Sequence, residues 1–285
     1  MSFVRAVVMA GGQTLRSWWK NYRVWMLCIL MVIFISDLIE GVYEVARMWG
    51  YAVTPWIFPF IDGQPYMRVL IYFGIILLFC NAPFVDRNQL FVILRCGRKK
   101  YAIGQIFAIA VMTIFYFLIL AVVPVALHPS DTRFSLVWGD VLFTAANTDA
   151  MYQLGEYSFV SNRIIEHLEP LGAMGLSFLL HTLTGILLGM LIYFCNVWFA
   201  GTKWPGAALA GLFVVLDPLL RYDYARFSPV SWGRLGYIDF LENGSWISLK
   251  EVVVYLVLSI IVLAVLSVWK FCHQEIHGGE IRGGK

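Results

Sequence analysis

Charge is what this chain has least of. Asp, Glu, Lys and Arg make up 14% of its 285 residues, against about 25% in soluble domains, too few to clothe a hydrated globular surface. The formal net charge is only +3, which gives no support to a nucleic-acid-binding face. The five cysteines, Cys28, Cys80, Cys96, Cys195 and Cys272, show no CxxC spacing and avoid the long polar loops, so neither a disulfide framework nor a cysteine metal site is expected. No GxxxxGK[ST] run occurs, and Gly97-Arg98-Lys99-Lys100 lacks the upstream glycine and preceding strand of a phosphate loop, so the chain should not bind ATP itself. HExxH, a Glu-Glu pair and a nucleophile elbow are also missing, leaving no catalytic, cofactor-binding or metal-binding set. Repeats, low-complexity tracts and a second soluble domain are absent too.

Apolar residues are what the chain has instead. They are 60% of the total, with a mean hydropathy of +0.74, the composition of an integral membrane protein. Apolar runs at residues 24–43, 68–84, 103–127, 171–199, 205–220 and 251–271 predict six transmembrane helices in a single all-α membrane domain covering residues 1–285. Before them, residues 1–23 set Arg5, Arg16 and Lys20 among Val4, Val7, Leu15, Trp18 and Trp19, which suits either an interfacial connector, a helix or turn at the cytoplasmic surface, or a loose basic leader. No cleavable signal is expected there, because the apolar run that follows is too long for one.

The connections carry the polarity. Residues 45–66 are rich in Trp and Pro and read as an outer loop on the bilayer surface. The outer loop 128–170 is long enough to hold short amphipathic helices at 137–146 and 160–168. Residues 221–250 read as an outer re-entrant or interfacial hairpin. With both termini in the cytoplasm, about 13 basic and about 3 acidic residues fall inside, against about 8 basic and about 12 acidic outside, the bias of the positive-inside rule.

Several side chains stand out against this background. The cytoplasmic loop 85–102 carries Asp86, Arg87, Arg95, Arg98, Lys99 and Lys100, with Phe91 and Leu94 at helical spacing between them. A short helix with one apolar face is expected, too short to span and suited to being gripped by a partner. Asp37, Glu40 and Asp217 lie in or at the ends of apolar runs, where carboxylates mark either a translocation path or the wet end of a span. His181, beside Thr182 and Thr184, is expected to be buried and hydrogen-bonded. His273 and His277 belong to a solvated tail. Gly185 and Gly189 have the small-xxx-small spacing of a helix-packing face, which could serve the pairing of two subunits.

Several runs carry a family likeness: Pro83-Phe84; Leu94-Arg95 followed by Gly97-Arg98; Gly104-Gln105; Trp138-Gly139-Asp140-Val141-Leu142 through Thr148; and Ser228-Pro229-Val230-Ser231-Trp232. Together with the order of spans, they resemble the transmembrane permease subunits of ABC-2 type ABC transporters, particularly the compact six-span forms of Clostridia and related Firmicutes. The acidic Glu-x-Glu-x-Gly-Thr run common in the larger family is missing, and only Asp86 stands in its place. The resemblance implies a coupling helix between the second and third spans, carried by Asp86, Arg87, Phe91, Leu94, Arg95, Arg98, Lys99 and Lys100. It also implies a dimer of ATPase subunits holding ATP and Mg, a second permease subunit, identical or related, and a place in the bacterial cytoplasmic membrane. The expected activity is export, with an amphipathic peptide, antibiotic or lipid as cargo. Two other classes remain: an ion-coupled secondary transporter that needs Asp37, Glu40 and Asp217, and an intramembrane enzyme, for which only scattered polar residues are visible.

Overall fold

The computed structural model describes residues 2–84, 87–148, 159–199, 202, 204–220, 224, 227–240, 247–273, 275–277 and 280–282. It is a helical bundle with very little strand. Its helices are α1 (Phe3–Trp19), α2 (Tyr22–Trp49), α3 (Pro65–Phe79), α4 (Arg87–Cys96), α5 (Arg98–Leu127), α6 (Gly139–Asn147), α7 (Asn162–His167), α8 (Pro170–Trp198), α9 (Pro205–Leu216) and α10 (Leu249–His273). Of these, α2, α5, α8 and α10 are long and apolar enough to cross a membrane. The helices α3 and α9 are apolar but shorter, and lie side by side against α8.

Local chemistry sets the boundaries. Ser2 and Asn21 cap α1 and α2, their side-chain oxygens accepting from the backbone N–H of Arg5 and Arg23. Pro65, Pro170 and Pro205 open α3, α8 and α9 at the first helical position, where the missing N–H costs nothing. Gly50, at φ +72°, ends α2, and Gly97, at φ +85°, turns the chain between α4 and α5.

Counting the short α3 and α9 with the four long helices, successive apolar helices alternate in direction: Tyr43 and Pro124, late in α2 and α5, meet at one end, and Trp198 and Lys270, late in α8 and α10, meet at the other, giving the bundle two unlike ends. One carries Arg16, Lys20, Arg23, Arg95, Arg98, Lys99 and Lys270 and will be called the basic end. The other gathers the long connections.

Small residues let the helices close on one another. Gly11 of α1 and Gly104 of α5 meet where the helices cross: a Cβ on Gly104 would fall 2.8 Å from Ala10 Cβ, 3.0 Å from Gly11 N and 3.1 Å from Val7 O. In α8, a Cβ on Gly185 would meet Thr113 and Phe117 of α5, and one on Gly189 would meet Ile109 of α5 and Phe79 of α3. These two glycines do form a packing face. It is used inside the chain, however, so it is not free for pairing subunits.

The expected first span, 24–43, lies within α2, which continues to Trp49 because Val42, Tyr43, Val45 and Ala46 are buried against the bundle and favour another two turns of helix. One expectation needs correction. The connection after α2 is not a surface loop along its length. Val53, Ile57, Phe58, Phe60 and Ile61 are at most 1% exposed and form a plug in the core. Hydrogen bonds weave the plug to the loop after α5: Trp56 Nε1 donates to Ser135 O (2.6 Å), Thr54 Oγ1 to Trp138 O (2.7 Å), and Val53 N to Asp131 O (2.9 Å). Aromatic and proline residues are equally compatible with a headgroup belt and with such a plug, so composition alone could not separate them.

The α1–α5 crossing makes a direct prediction. Gly104→Ala drives a methyl group into the backbone of α1 and should destabilise the protein by about 1–3 kcal/mol. Gly12→Ala, one residue away from Gly11 and with open space around it, should be neutral or slightly stabilising. Thermal unfolding of both variants in one detergent checks the contrast.

Candidate functional site

Two features draw together most of the chain's chemistry, one at each end of the bundle. At the basic end, α4 lies on α5 and α1. Ile93 and Cys96 are buried beneath it, while Phe91 is 74% and Leu94 82% exposed. Phe91 and Leu94 are three residues apart and share a face. Arg95 follows Leu94 directly, and Arg98 and Lys99 come next across the Gly97 turn; all three are exposed. Asp86 lies outside the described residues; Arg87 opens α4, and only its backbone is described. Lys100 is half-buried at the start of α5.

The base of α4 is held by neutral side chains. Gln105 bridges three segments: its Nε2 donates to Thr14 Oγ1 at 2.8 Å and its Oε1 accepts from Phe84 N at 3.4 Å. Tyr101 Oη donates to Phe84 O at 3.0 Å. Asn196 of α8 donates from Nδ2 to Cys80 O and Ala82 O, and accepts from Gly206 N. The segment entering α4 is thus anchored to α5 and α8, and through Gln105 to α1. Arg98 Nη1 donates to Cys272 O, placing a cation at the C-terminal end of α10, where the helix dipole favours one.

At the opposite end, charge is buried. Arg68 in the first turns of α3 and Asp217 after α9 pair through Nη1 and Oδ2 at 2.7 Å, with side chains 5% and 0% exposed. The second carboxylate oxygen, Oδ1, accepts from Ser228 Oγ and Ser231 Oγ. Beside this pair, Asp62 Oδ2 stands 3.7 Å from His181 Nε2 and 3.8 Å from Arg234 Nε. Arg234 also lies 3.8 Å above the Tyr237 ring. His181 Nδ1 faces Ser177 O at 3.0 Å, and its ring sits among Phe58, Phe117 and a stacked Tyr72. Gly233 passes so close to the Tyr72 hydroxyl that no Cβ fits.

His181 is therefore buried and hydrogen-bonded, as the sequence implied. Asp217 is held in an ion pair with Arg68. Asp37 and Glu40 are separate from both, exposed on α2 beside a small pocket shared with Glu44, Gln64 and Tyr66. Asp62, Arg68, Arg234 and Asn196 carry no role in the reading of the sequence, and Gln105 enters it only through the Gly104-Gln105 run of the family likeness. Arg68 had a usable signal, being the only basic residue of its apolar run. The two serines on Asp217 belong to the Ser228–Trp232 run, noted earlier only for its family likeness. Among the described residues, no three His, Cys, Asp or Glu side chains are grouped to hold a metal. In comparison with protein-family models, curated proteins and solved structures, nothing matches this chain.

Taking two opposite charges out of water is repaid only while both are present. Asp217→Asn, which strands the Arg68 guanidinium, should cost about 3–5 kcal/mol of stability. Adding Arg68→Met should restore at least half of the loss. Thermal unfolding of the two single variants and the double variant measures that coupling, and simple additivity would show that the pair contributes nothing as a pair.

Proposed function

We propose that this chain is the membrane-spanning permease subunit of an ATP-driven ABC-2 type exporter. The observation that carries the reading is α4: a helix of 10 residues at the basic end, displaying Phe91 and Leu94 to solvent, with the exposed cations Arg95, Arg98 and Lys99 close by in the chain. An apolar centre with a charged rim is the usual build of a protein–protein contact, in which anchor side chains supply affinity and rim charges supply steering. The expected occupant is a groove on an ATPase subunit, which would also hold the ATP and Mg that this chain has no motif to bind.

In this reading the basic end faces the bacterial cytoplasm and holds both termini. The four long helices and the two short ones, α3 and α9, make six spans. Each short helix is completed toward the outer face by a buried connection, residues 53–61 for α3 and residues 228–235 for α9. The amphipathic α1 lies along the inner surface, with Phe3, Val4 and Val8 exposed to lipid. Cargo would pass at the contact with a second permease subunit, since a single six-helix bundle has little room for a lined path. Apolar walls suit an amphipathic peptide, antibiotic or lipid.

Force from the ATPase pair would enter through α4. Only Gly97 separates α4 from α5, and α5 touches α1, α2, α8 and α10. A rigid-body shift of α4 is thereby delivered to a helix that packs against four others, biasing inward- against outward-facing arrangements.

Two variants test this. Leu94→Asp, at a position already 82% exposed, should leave membrane insertion and thermal stability unchanged while lowering ATPase co-purification at least tenfold. Undiminished co-purification removes α4 from the coupling role. Asp37→Asn combined with Glu40→Gln should leave export intact. Loss of export with the ATPase still bound would favour an ion-coupled carrier, in which those exposed carboxylates bind the coupling ion.

A further inference from the structure

A groove of about 910 Å³ runs down the bundle from the basic end, between the α1–α2 junction and the end of α3. Its mouth is polar, formed by Ser17, Asn21, Arg23 and Asn81, and its length is apolar, formed chiefly by Met26, Leu27, Ile29, Leu30, Ile33 and Leu77. We infer that this groove is a binding site for a single phospholipid with an anionic headgroup, taken from the leaflet at the basic end.

Three observations converge on that occupant. The first is length: from Tyr22 to Ile33 the helix rises about 16 Å at 1.5 Å per residue, and half of a ~30 Å hydrocarbon core is about 15 Å. The groove therefore accommodates one acyl chain from headgroup level to the bilayer midplane. The second is charge. Arg23 stands at the mouth, Arg16 and Lys20 are on the adjoining turn, and among the described residues no acidic side chain lines the groove. A phosphodiester with an added negative charge meets only cations and neutral donors there. The third is an unsatisfied donor. Trp18, 6% exposed, lines the groove, and its buried indole Nε1–H has no acceptor among the described residues. Buried donors are normally paired, and Trp18 sits at the mouth where a lipid headgroup or glycerol ester supplies acceptors.

The chemistry gives each part a task. Arg23 selects for the anionic headgroup, Ser17, Asn21 and Asn81 add neutral polar contacts around it, and the face made by Leu30 and Ile33 takes the chain. A lipid seated there would brace the α1–α2 junction against the end of α3, next to the segment that enters α4. This inference does not depend on the chain's coupling to an ATPase.

Native mass spectrometry of the full-length chain in detergent, offered equimolar phosphatidylglycerol and phosphatidylcholine, reads the site directly. The wild type should retain one phosphatidylglycerol per chain, at least fivefold over phosphatidylcholine. Leu30→Trp, which fills the groove from an exposed position, should lose that lipid. Arg23→Gln should retain either lipid equally. Leu118→Trp, on an exposed part of α5 outside the groove, should behave as wild type and controls for a general effect of a larger surface side chain. Equal retention of the two lipids by wild type, or undiminished retention in Leu30→Trp, overturns the proposal. So does a lipid-free dimer that Leu30→Trp splits, since the groove would then be filled by a second copy of the chain.

Discussion

The Arg68–Asp217 ion pair is the constraint on which the loop-rich end is built. Two full charges inside an apolar bundle carry a desolvation cost of several kcal/mol each. The cost is met by geometry: contact at 2.7 Å, and two serine hydroxyls on the carboxylate oxygen that Arg68 leaves open. Those serines lie in the connection after α9, so pairing Asp217 also fixes residues 228–231. Arg234 then falls beside Asp62, and Asp62 beside His181. A single buried pair thereby ties α3, α8, the end of α9 and two connections into a closed cap.

The basic end is organised on the opposite plan. There the polar work is done by uncharged Gln105, Asn196, Thr14 and Tyr101, which satisfy backbone groups of the segment leading into α4. Amides cost less to bury than charges, and here they anchor chain segments without locking charges together. The charges at this end remain in water, and exposed Phe91 and Leu94 lie close to several of them in the chain. One end is thus tied shut by ions, while the other offers an apolar helix face on a firmly anchored base. Under the proposed permease reading, mechanical input would enter at the basic end, opposite the ion-paired cap. A neutral face also contacts a partner without the salt dependence of a purely ionic one.

Sequence reasoning reached the parts of this fold whose signals are local. Apolar runs marked the long helices, the spacing of Phe91 and Leu94 marked a short amphipathic helix, and the small-residue pattern marked Gly185 and Gly189 as packing positions. Signals that depend on distant partners were out of reach. Asp217 reads as a lone carboxylate near a proline, because Arg68 is 149 positions away and no pattern links the two. The plug at residues 53–61 uses the aromatic composition of a membrane-surface loop, and only its neighbours decide that it turns inward. The glycine spacing in α8 says that something approaches closely, but not whether that is a helix of the same chain or of another. Gln105 and Asn196 read as ordinary residues at the ends of apolar runs until the carbonyls they satisfy are in view.

Purifying the tagged full-length chain from its native membrane in a mild detergent, and assaying the preparation for ATP hydrolysis, tests the permease reading most directly. Co-purification of an ATPase subunit in stoichiometric amount, with ATP hydrolysis in the preparation, is the expected result. A chain that purifies without an ATPase and shows no hydrolysis would contradict the account and return Asp37 and Glu40 to the centre of the question.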